Sequence, residues 1–453
     1  MIFERIQSEG LAHFSYFLGS RDQPALMDPR RDCQTYIDKA RQEKMKITNI
    51  FETHRNEDYA IGSLELAYST GARIYHGPGL EFKYGETLMD GQEFNIGELR
   101  LKSIHTPSHT DESMCYAITD LGAGKDVALV FTGDTLFAGD VGRTDLYGPK
   151  GAPRLAENLY NSIFNRILPL GDGVIACPAH GAGSVCGGAI AEREETTLGL
   201  ERRQNPAPQK TKEDFVSFKI GEYHERPPYF RKMEEYNLNG PPLLKGLPNP
   251  KPLQPKDFRE EMSCGGVVVD TRSPPAFGGA YIESSYNIWL EGLPAYAGWV
   301  LPYEKPILLV LEYKKDLDKA VPYLIRLGYD AITGYLSGGI DARYNEALPI
   351  EHMGLWTAHD LKEKLNGNIT VLDVRGGDEW RDGHISGALN IHVGPLEEHI
   401  KEIPSDRPVA TLCKVGLRAS LAASILRRTG FKEVYTVLGS MTAWKNAGYP
   451  TVT

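Results

Sequence analysis

The chain has 453 residues, of which 41% are hydrophobic and 24% charged, a length that suits about three domains of roughly 150 residues and a composition typical of soluble globular proteins. Its formal net charge of −10, with no basic run, excludes the electrostatic footprint of a nucleic-acid binder or of a protein held on an anionic membrane. No apolar stretch approaches the roughly 18 residues of a membrane-spanning helix. Met1-Ile2-Phe3-Glu4-Arg5-Ile6 lacks the apolar region of a secretion signal, and six dispersed cysteines form no disulfide framework, so reduced thiols and a cytoplasmic location are expected. In chain order, Lys46 to Phe51 reads as a buried strand and Val127 to Phe131 as a short apolar one. Residues 189 to 239 read as a charged extension, helical at its start and broken at Pro227-Pro228. The proline-dense segment from Gly240 to Pro255 is expected to run extended over the surface. Strands are predicted at Gly266 to Asp270 and Pro306 to Val310, a boundary near Leu348-Pro349, and a helix from Thr357 through Leu361 and Leu365. A strand follows at Val371, another over Val409 to Leu412, and a helix beginning near Ala419. The short strands alternating with helices after residue 256 predict a parallel α/β sheet.

Three segments concentrate metal-binding residue types, two of them just past the predicted strands, where open sites are built. Thr53-His54-Arg55-Asn56-Glu57-Asp58-Tyr59 resembles the T-H-x-H-x-D-H loop of the metallo-β-lactamase superfamily, with Asn56 and Tyr59 in place of two histidines. His105-Thr106-Pro107-Ser108-His109-Thr110 resembles its second ligand loop, and Phe131-Thr132-Gly133-Asp134-Thr135 the strand end that supplies the bridging aspartate. The resemblance implies one metal held by His54, His109 and Asp134, with Asp58 and Tyr59 behind them. Two imidazoles and one carboxylate with open positions suit a single non-haem Fe(II), whereas zinc more often closes such a site with one water. Gly142-Arg143-Thr144-Asp145 resembles a segment of the persulfide dioxygenases, the mononuclear-iron branch that oxidises a thiol persulfide with O2 to sulfite. Arg143 either orients an anionic substrate or pins the Asp134 loop; Thr144 and Asp145 are expected beside it, Asp145 also as a turn residue. Of the loop Cys177-Pro178-Ala179-His180, His180 is expected behind the metal or against substrate. Cys186, on the glycine-rich run that follows, is either a thiol at the edge of the site or a small buried residue.

Near the other end, Cys413-Lys414-Val415-Gly416-Leu417-Arg418 lies between a predicted strand and a predicted helix. It resembles the rhodanese active-site loop, in which backbone N–H groups and a helix N-terminus stabilise a thiolate and its persulfide. The resemblance makes Cys413 the sulfur carrier, Arg418 the cation for the anionic donor, and Lys414, Val415, Gly416 and Leu417 the cradle. Asp373, Arg375, Glu379-Trp380, Gly383-His384, Asn390 and Trp444 match rhodanese landmarks in order. An earlier segment repeats the pattern through Asp270, Arg272 and Asn287, but Leu311 falls where Cys413 sits and Asp316 where Arg418 sits. Such a repeat transfers no sulfur.

The expected fold is therefore an αββα metallo-β-lactamase domain over 1–245, a degenerate rhodanese-like domain over 256–347 and an active one over 353–453. The implied function is persulfide dioxygenase joined to thiosulfate sulfurtransferase, with a mononuclear Fe(II) and no organic cofactor. Expected partners are a low-molecular-weight thiol persulfide such as that of glutathione, O2, and thiosulfate or sulfite, in a homo-oligomer, dimer or tetramer. A glyoxalase-II-like thioester hydrolase and a non-enzymatic persulfide sensor are the alternatives.

Overall fold

The computed structural model describes residues 1–193, 195–222 and 224–453. The chain clusters into two compact units, Met1–Lys245 with Ile325–Gly328, and Gly246–Leu324 with Tyr329–Thr453.

The first unit rests on two six-stranded sheets. In one, Ile2–Ser8, His13–Ser20 and Gln23–Met27 run antiparallel and continue in parallel through Asn49–Phe51, Arg73–His76 and Glu86–Thr87. In the other, Glu93–Ile96, Leu99–His105, Met114–Asp120 and Val127–Gly133 are antiparallel, and Ile175–Pro178 joins parallel to the last. Because side chains alternate along a strand, Phe14, Tyr16 and Leu18 meet Met114, Tyr116, Ile118 and Phe131 in one core between the sheets. Phe17 faces the other way, onto Tyr36 and Leu66 of helices Gln34–Gln42 and Ser63–Thr70. Cys115, Ala117 and Val130 likewise pack on Leu159 and Phe215 of helices Ala152–Ser162 and Lys212–Gly221. The unit is a four-layer helix, sheet, sheet, helix sandwich.

Two local expectations are corrected. The strand anticipated from Lys46 begins only at Asn49, where pairing with Ala25 and Arg73 starts. Residues 189–193 are not helical; the first helix after them is Leu198–Gln204, which starts where the Thr197 hydroxyl accepts from Leu200 N–H.

The second unit contains two five-stranded sheets, parallel throughout and identical in strand order. The first runs Lys251–Leu253, Ile332–Leu336, Ile307–Val310, Val267–Asp270, Tyr286–Asn287; the second runs Gly354–Trp356, Val434–Val437, Val409–Leu412, Thr370–Asp373, Leu389–Asn390. The repetition extends to side chains. Arg272 clasps Asp270 and donates to the Ala280 carbonyl, as Arg375 clasps Asp373 and donates to Gly383. Asn287 and Asn390 each donate to the two carbonyls of their own pair. The proline-dense segment does more than run over the surface, because Lys251–Leu253 forms the edge of the first of these sheets; Pro252 is tolerated there since an edge strand has one unpaired side. Among the described residues, no helix is long and apolar enough to cross a membrane.

Candidate functional site

Four strands of the first unit deliver polar residues just past their carboxyl ends. Asn49–Phe51 leads to His54, Leu99–His105 to His109, Val127–Gly133 to Asp134 and Ile175–Pro178 to His180. Asp134 Oδ2 lies 3.6 Å from His54 Nε2 and 3.7 Å from His109 Nε2; all three atoms are buried, and His54 Nε2 and Asp134 Oδ2 have no hydrogen-bond partner, whereas His109 Nε2 faces Glu57. Each such orphan costs about 1–3 kcal/mol, a cost that a cation between them removes. Their opposite atoms are all engaged. His54 Nδ1 is 2.9 Å from Thr53 Oγ1, which donates to Asp28 Oδ2 at 2.7 Å. His109 Nδ1 donates to the Arg143 carbonyl at 2.9 Å, which fixes the ring with its Nε2 turned toward the site. Asp134 Oδ1 accepts from His180 Nδ1 at 2.7 Å. His54, His109 and Asp134 thus fit a metal ion.

Asn56 and Tyr59 bring no imidazole. The Asn56 amide donates to the His54 carbonyl, and the Tyr59 ring packs on His13 with centroids 4.1 Å apart. Asp58 Oδ2 lies 3.0 Å from His180 Nε2, so His180 is bracketed by two carboxylates. Burial opposes its charge, but Asp134 and Asp58 prevail and raise its pKa well above the usual value. Asp134 is likewise held below the ordinary carboxylate range by His180, His54 and His109 despite its burial. Cys186 is buried with Sγ 3.8 Å from Glu57 Oε1. Burial, Asp58, Asp134 and Glu57 all push its thiol upward. The Arg143 guanidinium is committed to Asp145, at 2.7 and 2.8 Å, and to the Val185 carbonyl, at 3.1 Å, which ties the Asp134 loop to the Cys186 loop. Thr144 is buried beside it.

Sequence reasoning missed Glu57. Its Oε1 lies 2.6 Å from His109 Nε2, and it forms with His54 and His109 a group able to hold an ion. Burial opposes the His109 imidazolium, but Glu57 prevails and takes it up to about 9. The only signal was a second carboxylate, beside Asp58, inside the loop of His54. Asp58, His180 and Cys186 form a further such group.

In the second unit, Cys413 follows the central strand Val409–Leu412 and precedes helix Leu417–Arg428. Its Sγ accepts from Gly416 N–H at 3.1 Å, and its own N–H donates to Ser440 Oγ at 3.1 Å. Gly416 has φ +105°, a region that L side chains rarely adopt, and a Cβ there would lie 3.3 Å from the Val437 carbonyl. Lys414 and Val415 are exposed at the rim, whereas Leu417 and Arg418 are half-buried. Arg418 grips Glu379 bidentately at 2.6 and 2.8 Å. Tyr296, from the first sheet's helix Leu293–Val300, is close enough to feel both Arg418 and Cys413.

Residues 9–180 match the metallo-beta-lactamase superfamily model, and residues 357–447 that of the rhodanese-like domain. A crystal structure of a metallo-beta-lactamase from Staphylococcus aureus aligns with a TM-score of 0.66 at 31% identity, over 74% of this chain and 99% of that one. The chain belongs to the metallo-beta-lactamase superfamily. This superfamily member carries a rhodanese-like domain after its lactamase fold. Thiosulfate sulfurtransferase GlpE of Coxiella burnetii is 33% identical to it over 102 residues, 22% of this chain and 90% of that protein. The mitochondrial hydroxyacylglutathione hydrolase of Saccharomyces cerevisiae is 33% identical over 144 residues, 30% of this chain. The chain spans 50% of that hydrolase and 44% of the Mycobacterium leprae protein it also matches.

Proposed function

We propose that the first unit oxidises a low-molecular-weight thiol persulfide, such as glutathione persulfide, with O2 to sulfite, and that the second moves sulfane sulfur through Cys413. The observation that carries the first half is the convergence of three buried atoms, His54 Nε2, His109 Nε2 and Asp134 Oδ2, the first and last of them unpartnered, beside Asn56 and Tyr59, which offer no imidazole to a second ion. One ferrous ion held there would supply a redox centre with open positions for persulfide and dioxygen. The overall change balances as RSSH + O2 + H2O giving RSH, sulfite and two protons. The chain's own contribution is placement. His180 fixes Asp134 Oδ1, the Asp28–Thr53 pair fixes His54, and the Arg143 carbonyl fixes His109.

At Cys413 a thiolate attacks the outer sulfur of thiosulfate. A bond forms between Cys413 Sγ and that sulfur, the sulfur–sulfur bond of thiosulfate breaks, and sulfite leaves with the electron pair. Gly416 N–H and the start of helix Leu417–Arg428 steady the negative sulfur. A thiol then accepts the sulfur and restores Cys413; sulfite as acceptor returns thiosulfate instead. The first five-stranded repeat, with Leu311 and Asp316 at the positions of Cys413 and Arg418, takes no part in sulfur transfer.

The likeness to hydroxyacylglutathione hydrolase favours a second reading, thioester hydrolysis at a site completed by Asp58, His180 and Cys186. One experiment separates the two. Anaerobically prepared, Fe(II)-loaded protein is given glutathione persulfide, and S-lactoylglutathione in parallel. Stoichiometric O2 uptake with sulfite is expected, lost in His54→Ala and Asp134→Ala but retained in Cys413→Ser, whose thiosulfate-to-cyanide transfer is abolished. Thioester hydrolysis without O2 uptake would overturn the proposal.

A further inference from the structure

The second unit contains a cavity of about 460 Å³ at the amino-terminal ends of strands Val267–Asp270 and Ile307–Val310. Leu311, the counterpart of Cys413, lies at the opposite ends of those strands, so the cavity is separate from the sulfur-transfer loop and from its degenerate copy. We propose that it binds a small molecule through a tetrahedral dianion, a phosphate or a group of the same shape and charge.

Four cationic side chains line it, those of Arg259, Lys305, Arg343 and Arg428, against two carboxylates, Glu283 and Glu351. Glu351 is already taken, its Oε2 lying 3.0 Å from Arg427. Arg343 is the decisive residue. It is only 4% exposed, its Nε donates to the Pro349 carbonyl at 2.8 Å, and its Nη1 is buried with no partner. A buried guanidinium with an unmade hydrogen bond carries a desolvation cost that an anion in the cavity removes. Burial and the charge of Arg259 both lower the Arg343 pKa, as expected where cations outnumber the carboxylates beside them. Arg428 repeats the pattern, with Nε buried and unpartnered and its guanidinium held 3.7 Å over the Tyr286 ring. Among the described residues, no carboxylate pairs with Arg259 or Lys305.

Guanidinium forks match the oxygens of phosphate-like groups two at a time, so three of them with one lysine suit a dianion better than a monoanion. The volume falls in the range of small-molecule sites, roughly 300–1,000 Å³, and leaves room for more than an oxyanion. Two sources share this chemistry, an inorganic oxyanion and an organic monoester.

The test uses the full chain, inorganic phosphate and adenosine monophosphate, each titrated calorimetrically at constant ionic strength. The comparison variant is Arg259→Ala/Lys305→Ala, both positions being exposed and outside the sulfur-transfer machinery. Saturable binding is expected, weakened at least tenfold in the double variant, while thiosulfate-to-cyanide transfer without added ligand stays unchanged. Equal affinities for the two probes assign the inorganic source, and tighter binding of the nucleotide the monoester. No saturable binding of either probe, or a Kd that the double variant leaves unaltered, overturns the proposal.

Discussion

In the proposed sulfur transfer, Arg418 would meet its anionic donor already engaged. Glu379 holds the guanidinium bidentately, with side-chain exposures of 16% and 37% for Arg418 and Glu379, so the positive charge offered to thiosulfate is partly cancelled. A half-exposed pair is worth at most about 1 kcal/mol, roughly fivefold in an equilibrium constant. Glu379→Gln keeps the shape and removes the charge, and we expect the KM for thiosulfate to fall by up to that factor with kcat little changed. A higher KM would mean that Glu379 positions Arg418 instead of competing for it. His180 is the corresponding residue of the metal site, gripping the Asp134 oxygen that faces away from His54 and His109. Partners of metal ligands typically contribute about 10–100-fold to affinity. His180→Gln should therefore lose Fe(II) in competition with a chelator at a concentration the parent withstands, with unchanged circular dichroism; undiminished affinity would assign His180 to the second carboxylate, Asp58.

At the scale of elements, much of the site was legible because the sheets place polar residues just past apolar runs. His54 and Asp134 each follow such a run, His109 follows the alternating strand Leu99–His105, and the structure brings the three together around Asp134 Oδ2, 3.6 and 3.7 Å from the two imidazoles. What escaped depends on contacts distant in sequence. Asp28 reaches Thr53 across 25 residues, and Tyr296 approaches Cys413 from another sheet's helix; no local pattern marks either. Lys251–Leu253 was hidden for the opposite reason, since local composition argued against a strand and only pairing with Gly334–Leu336 makes it one. Gly142 shows how tightly the elements meet at the metal site. A Cβ there would stand 2.0 Å from the Asp134 carbonyl oxygen and 3.4 Å from His109 Cβ. Backbone has to give way, at a typical cost of about 1–3 kcal/mol. Gly142→Ala should lower both thermal stability and iron content, the latter measured by elemental analysis of the folded variant; a parental melting temperature with full iron would show that the Asp134 strand end moves freely.

At the scale of the molecule, the proposed chemistry separates by unit, and so do the intrinsic probes. All five tryptophans, Trp289, Trp299, Trp356, Trp380 and Trp444, lie in the Gly246–Thr453 unit, whereas His54, His109 and Asp134 lie in Met1–Lys245. Tryptophan emission therefore reports unfolding of the second unit, while far-ultraviolet circular dichroism reports both. A metal at 100 times its Kd adds about 2.7 kcal/mol to the unit that binds it. For a unit of this size each kcal/mol moves the midpoint by about 2–4 °C, so a rise of roughly 5–10 °C is expected in one dichroism transition. The emission midpoint should stay where it was, and chelation should reverse the first shift without touching the second. If emission and dichroism move together by the same amount, the two units unfold as one, and variants in either site have to be judged on the stability of the whole chain before a lost activity is assigned to a residue.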